Sequence, residues 1–406
     1  MKPKKLLQVA LGVLTSIGGF LDVGAIATAA DAGASFRFRL LWVVALGTLV
    51  VIFLAEMVGR LAAVSKHAYA DAVRERFGFQ FYFWPLLAEF IVDFLVLGAE
   101  IGGVCIALQL LTGISFRWWA IPVAFAVWLT AWFGTFKVIE NSVALLGLVT
   151  IAFVVGAFHL GLPWGEAGRG FIPSAPPQDA AHYWFVAVSI MGALVSPYVL
   201  YFYSSGAIED GWGTRELQVN RLVATVGMGF GSVVQMGMLA TAALVLAPRG
   251  ISIDDYGQVA LTLVGPFGLW GFYLFVASLG VTCFGACMEQ GLETAYISSQ
   301  AFGWNWGESK SPRKAARFSM AYTLSIFASS LIMLAGIDPL KLTMFSMALT
   351  ALMLPLVIVP LLVIMNDRNY LGEHTNGWVT NLAVGLIIGL TFVLALFAIP
   401  LEYLGG

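Results

Sequence analysis

Phe20-Leu21-Asp22-Val23-Gly24-Ala25-Ile26 sets an acid in the middle of an apolar run, and much further along Gly192-Ala193-Leu194-Val195-Ser196-Pro197-Tyr198-Val199 interrupts a second one. A carboxylate at the centre of a membrane helix costs about 3 kcal/mol even on insertion scales, so an acid kept there marks a functional site. Gly18, Gly19 and Gly24 weaken the helix around Asp22. In the second run Gly192 and Pro197 act likewise, since proline removes a backbone donor and clashes with the carbonyl one turn back. Unwound backbone at membrane depth is tolerated only where it faces protein or water. Paired breaks in two halves of a chain point to the central site of a transporter. Carbonyls freed at the breaks, with Asp22, would make an oxygen-rich site for a hard cation. The alternative is two ordinary kinks, with Asp22 hydrogen-bonded to a neighbouring helix.

Composition supports the same class. Of 406 residues, 60% are apolar and 11% charged, against about 25% charged in soluble domains, and the mean hydropathy is +0.88. The pattern predicts an all-α polytopic membrane protein with eleven spans, approximately 8–30, 39–64, 81–112, 117–135, 138–161, 181–207, 218–247, 266–299, 314–335, 340–366 and 376–400. The hydrophilic connector with Pro173, Pro176 and Pro177 divides one transmembrane domain into a first repeat of about 8–161 and a second of about 181–366. The last span, about 376–400, is an addition. The repeat is read from the position of the breaks, not from residue identity.

Lysine and arginine set the orientation. With the amino terminus in the cytoplasm, that side receives 15 of the 21 basic residues, among them Arg60, Lys66, Arg74, Arg76, Lys137, Arg313, Arg317 and Arg368. The carboxyl terminus is then extracellular. Lys2-Pro3-Lys4-Lys5 with Ala27-Thr28-Ala29 imitates a secretory signal, but cleavage would invert the charge bias. The net charge of −2 is uninformative about partners, and the lack of a long basic patch speaks against nucleic acid. Cys105, Cys283 and Cys287 read as reduced packing residues. No histidine has metal-ligand spacing, and no nucleophile–base pair suggests an enzyme.

Further acids lie within the spans. Glu89, Asp93 and Glu100 fall within roughly 40° of one another on a helical wheel, which suits a cation path, a proton relay or a hydrated vestibule, or else three acids satisfied separately. Glu289 and Glu293 stand one turn apart in span eight, with Glu293 near the cytoplasmic end. Glu56 reads as a local partner of Arg60 rather than a ligand.

Asp22-Val23-Gly24-Ala25, Glu100-Ile101-Gly102-Gly103, the stretch Gly192 to Tyr201, and Leu354-Pro355 with Asn366-Asp367-Arg368 together resemble, in order and spacing, the motifs of NRAMP divalent-metal transporters. Each motif alone is weak, but together they cover essentially the whole chain. The resemblance implies a LeuT-type inverted repeat of spans 1–5 and 6–10, with helices 1 and 6 broken. It implies metal contacts at Asp22, Ala25, Ala193 and Ser196, site shaping by Gly24, Gly192, Pro197 and Tyr198, and an ion path or relay along Glu89, Asp93, Glu100 and Met347.

The departures from that family matter as much. Its asparagine and methionine ligands are Ala25 and Ser196 here, and two glutamines of span ten are Met347 and Met353. Losing an amide and a thioether leaves a larger, harder cavity, suited to an ion that keeps some of its water. The family's span-six histidine is Tyr198 and its span-three aspartate is Leu97, neither of which titrates near neutrality. The pattern is similar to the prokaryotic NRAMP-related magnesium transporters. The expectation is therefore uptake of magnesium first and manganese second, as substrate rather than cofactor, without proton coupling. The chain would sit in a bacterial cell membrane, its partners the lipid bilayer and the metal, and a monomer would suffice. Alternatives are a proton-coupled manganese or iron transporter of the ordinary family type, or an amino-acid carrier on the same fold.

Overall fold

Apolar segments satisfy their own backbone in hydrocarbon only as helices or closed barrels, and here they form helices. The computed structural model describes residues 22–133, 147–174, 179–308 and 310–404. Gly18, Gly19, Lys137, Pro176, Pro177 and the first parts of predicted spans one and five lie outside them.

The first half runs α1 (Val23–Phe36), α2 (Leu41–Ser65), α3 (Tyr69–Phe77), α4 (Phe79–Thr112), α5 (Phe116–Phe133), α6 (Ile151–His159) and α7 (Trp164–Arg169). The second half runs α8 (Ala180–Leu194), α9 (Pro197–Glu209), α10 (Leu217–Val245), α11 (Tyr256–Phe267), α12 (Leu269–Phe302), α13 (Ala316–Leu334) and α14 (Pro339–Met365). The short α15 (Arg368–Leu371) then leads to α16 (Trp378–Leu404). Among the described residues nine helices are long and apolar enough to cross a membrane, the broken pair α8–α9 being one of them. The helices α1 and α6 are the described parts of predicted spans one and five.

Besides the short α7 and α15, two helices lie outside the predicted spans. The first, α3, is short and polar, carrying Asp71, Arg74, Glu75 and Arg76, so it has no apolar run to reveal it. The second, α11, is 12 residues long and falls almost wholly in the connector between predicted spans seven (218–247) and eight (266–299); Gly268 at φ 58° turns the chain between it and α12.

Aspartates start many of the helices. Asp22, Asp179, Asp255 and Asp338 each accept the backbone N–H three residues on, and Asp367 that of Asn369, which satisfies a donor with no intrahelical partner. Left-handed Gly113 and Gly303 close the two longest helices, α4 and α12. Around the centre, α4 packs along α12, α1 along α10, and α8 along α14. Glu56 pairs with Arg60 at 3.0 Å on α2, as the i,i+4 spacing predicts. Trp84, Trp118 and Trp164 are well exposed, as an interfacial belt requires, whereas Trp42 turns inward to donate to the Tyr183 hydroxyl at 3.2 Å.

Candidate cation centre at two broken helices

The second predicted break is a clean one. The helix α8 ends at Leu194, Val195 leaves helical geometry, and α9 begins with Pro197 at its first position after the extended Ser196. Proline is preorganised for that position. Its ring also removes the amide that would have bonded to the carbonyl of Ala193, four residues earlier. Covalent structure alone therefore leaves the Ala193 carbonyl without a helical donor, while Ala193 and Ser196 are 4% and 3% exposed.

In the first span a helix begins at Val23, inside the apolar run. Asp22 is extended, at φ −116° and ψ −179°, and its Oδ1 accepts the Ala25 N–H at 2.7 Å. Thr28 donates its hydroxyl back to the Gly24 carbonyl at 2.7 Å. The next amide, Val23 N–H, donates to the Glu100 carboxylate of α4, 3.0 Å from Oε1 and 3.3 Å from Oε2. Two carboxylates thus sit at the positive end of one half-helix, where the unpaired amides favour negative charge. Cys283 of α12 places its thiol in hydrogen-bonding contact with Glu100. Tyr198, buried at the start of α9, feels the charge of Asp22 most among its neighbours, then those of Glu289 and Glu100.

Met347 of α14 joins the two breaks. A Cβ on Gly24 would stand 2.4 Å from the Met347 Sδ, and one on Gly192 would stand 1.8 Å from the Met347 carbonyl oxygen. At Gly192 the obstacle is backbone and only glycine fits; at Gly24 it is the Met347 side chain. Met347 also packs with Ala193, Val92 and Val96 in a small apolar cluster separate from the main core.

The residues expected from the sequence therefore divide. Asp22, Ala25 and Glu100 meet at the start of α1; Ala193, Ser196 and Pro197 form the second break; Gly24 and Gly192 meet at Met347. Glu89 and Asp93 do not join Glu100. They gather instead with Glu293 of α12, their ligand oxygens within 4.8 Å of one another. The contact of Cys283 with Glu100 carried no sequence signal. The place of Glu293 was signalled only by its one-turn spacing from Glu289.

The close approaches make a test. Gly24→Ala should lower thermal stability by the equivalent of about 1–3 kcal/mol through overpacking. Adding Met347→Ala should recover much of that loss, because the obstacle is a side chain. In Gly192→Ala the obstacle is backbone, and Met347→Ala should recover nothing. Melting temperatures of the purified variants in detergent check the contrast.

This arrangement, with a helix broken in mid-span against a half-helix that starts on a buried carboxylate, defines a multi-pass membrane protein of the LeuT-type fold. The chain belongs to the Natural resistance-associated macrophage protein-like (Nramp) family, whose model matches residues 12–399. It is similar to the Eremococcus coleocola manganese transporter solved in complex with an aromatic bis-isothiourea substituted compound. That likeness has a TM-score of 0.78 at 19% identity, over 96% of this chain and 85% of that one. Mhp1, a nucleobase-cation-symport-1 family transporter solved in a closed conformation with bromovinylhydantoin bound, matches with TM-score 0.66 at 16% identity, over 96% of this chain and 89% of that one. MhsT in complex with L-phenylalanine matches with TM-score 0.62 at 16% identity, over 96% of this chain and 97% of that one.

Proposed function

We propose that the chain carries a divalent metal cation inward across the cell membrane, magnesium first and manganese second, without coupling to protons. The amino terminus lies in the cytoplasm and the carboxyl terminus outside. Family membership supports divalent-metal transport. The observation that carries the reading is the donor set at the breaks: the Asp22 carboxylate, the Ala193 carbonyl that Pro197 leaves without a helical donor, and the Ser196 hydroxyl. All are hard oxygens, the kind that suits magnesium, calcium and manganese. Magnesium gives up water reluctantly and binds through one or two carboxylates while keeping several waters, and the small side chains of Ala25 and Ser196 leave room for them.

Manganese stands second because of Met347, whose thioether lies against Gly24 at the start of α1. A sulfur beside Gly24, two residues along from Asp22, favours a softer ion than magnesium. Its packing with Val92, Val96 and Ala193 makes it foremost a wall of the centre.

The same geometry opposes an amino-acid substrate. A substrate carboxylate on this fold docks at half-helix amino termini, and here Val23 N–H is given to Glu100 and Ala25 N–H to Asp22. Proton coupling lacks its ordinary relay, since Leu97 and Tyr198 are buried where the family resemblance expects titrating groups.

Uptake into liposomes reconstituted with the protein tests the reading. Magnesium and manganese should enter and alanine should not. Alanine entry with no metal entry would overturn it.

A further inference from the structure

On α4, Glu89 and Asp93 stand one turn apart, and α12 brings Glu293 against them. Each contributes a carboxylate oxygen to a group whose members lie within 4.8 Å of one another, and all three residues are at most 1% exposed. The group satisfies itself only in part. Asp93 is in hydrogen-bonding contact with Glu293 and Thr294, while both oxygens of Glu89 have no hydrogen-bond partner. Among the described residues, no ion pair includes any of the three. Tyr82, another buried side chain whose hydroxyl lacks a partner, feels the charges of Glu293 and Glu89.

Buried charges are retained when they are paired or when they coordinate a metal. Here the cluster offers three carboxylates from two helices and no nitrogen or sulfur, which is the chemistry of a hard divalent ion rather than a soft one. An open groove of about 490 Å³ between α4, α12 and α13 reaches Asp93, Thr294 and Ser298 at one part, among the apolar Phe90, Phe94, Met320 and Leu324, and Trp304 at another, with Arg317 held over the Trp304 ring at 5.5 Å. The charge bias puts that second part at the cytoplasmic end.

From Asp93 to Glu100 the rise along α4 is about 10 Å. Val96, which packs with Val92, Ala193 and Met347 in the small apolar cluster, stands on α4 between Asp93 and Glu100. The cluster is thus separate from the Asp22 centre and lies on its cytoplasmic side.

We propose that Glu89, Asp93 and Glu293 form a second divalent-cation site, which a magnesium or manganese ion occupies on its way from the Asp22 centre to the cytoplasm. The proposal rests on the divalent-cation reading above. The rival occupant is a proton shared between the carboxyl groups.

Equilibrium binding of Mn²⁺ to the full-length purified protein separates the two. Wild type should bind two ions per chain, Asp22→Asn one, Glu293→Gln one, and the double variant none. A stoichiometry of one in wild type that Glu293→Gln leaves unchanged and Asp22→Asn abolishes would mean that the cluster holds protons, and would overturn this proposal while sparing the central site. No binding by wild type would overturn both. If Glu293→Gln does not fold, manganese-edge anomalous scattering from wild-type crystals decides. A peak among the three carboxylates is expected, and a peak at Asp22 with none among them would overturn the second site.

Discussion

Asp22→Asn is expected to abolish divalent-cation uptake while leaving a folded protein. Asparagine caps a helix as well as aspartate does, so the bond to the Ala25 N–H survives the change and α1 keeps its start. What disappears is the charge that a divalent ion needs once it has lost part of its water. Removing one member of a buried charge pair costs about 3 kcal/mol, or roughly two orders of magnitude in affinity. Asp22→Ala should transport no better and should also lose about 1 kcal/mol of stability, because alanine cannot cap. Initial uptake rates in liposomes, with melting temperatures measured alongside, check both variants. Magnesium uptake within a few-fold of wild type in Asp22→Asn would remove Asp22 from the centre.

Ala25→Asn combined with Ser196→Met should turn preference from magnesium towards manganese or cadmium. Both positions are nearly fully buried, one in the first turn of α1 and the other between α8 and α9. An amide and a thioether placed there add donors of the kind that ordinary family members are expected to use, and they take up space that retained water would occupy. Sulfur stabilises the softer, more fully dehydrated ion, while magnesium loses the room it requires. A reversal of the magnesium-to-manganese uptake ratio by roughly tenfold or more corresponds to about 1.4 kcal/mol of differential binding. Competition of magnesium against radiolabelled manganese measures it. An unchanged ratio in a folded double variant would mean that selectivity is set elsewhere, with Met347 the first residue to examine.

The breaks were legible in the sequence because their causes are local: a proline that cannot donate, glycines that weaken helices, and an acid with no reason to be in hydrocarbon. Met347 was legible only through the family resemblance, since nothing in a run of apolar residues says that its carbonyl meets Gly192. The three acids of α4 show where helical periodicity stops. A wheel places Glu89, Asp93 and Glu100 on one face, yet seven residues separate Asp93 from Glu100 along the axis, and different helices supply their partners. α1 meets Glu100, and α12 meets the other two through Glu293. Contacts of that kind depend on tertiary packing, so neither Cys283 beside Glu100 nor Glu293 beside Asp93 could be read from spacing. Two of the helices outside the predicted spans fail for different reasons: α3 is too polar to stand out, and α11, at 12 residues, is too short to read as a membrane span.

The most direct measurement of the central claim is magnesium entry into proteoliposomes with the internal pH followed at the same time. Magnesium should enter down its gradient, and the lumen should show no acidification in step with it, because Leu97 and Tyr198 cannot relay protons near neutrality. Acidification that tracks magnesium entry would contradict the account and would assign proton transfer to Asp22, Glu100 or the Glu89–Asp93–Glu293 cluster.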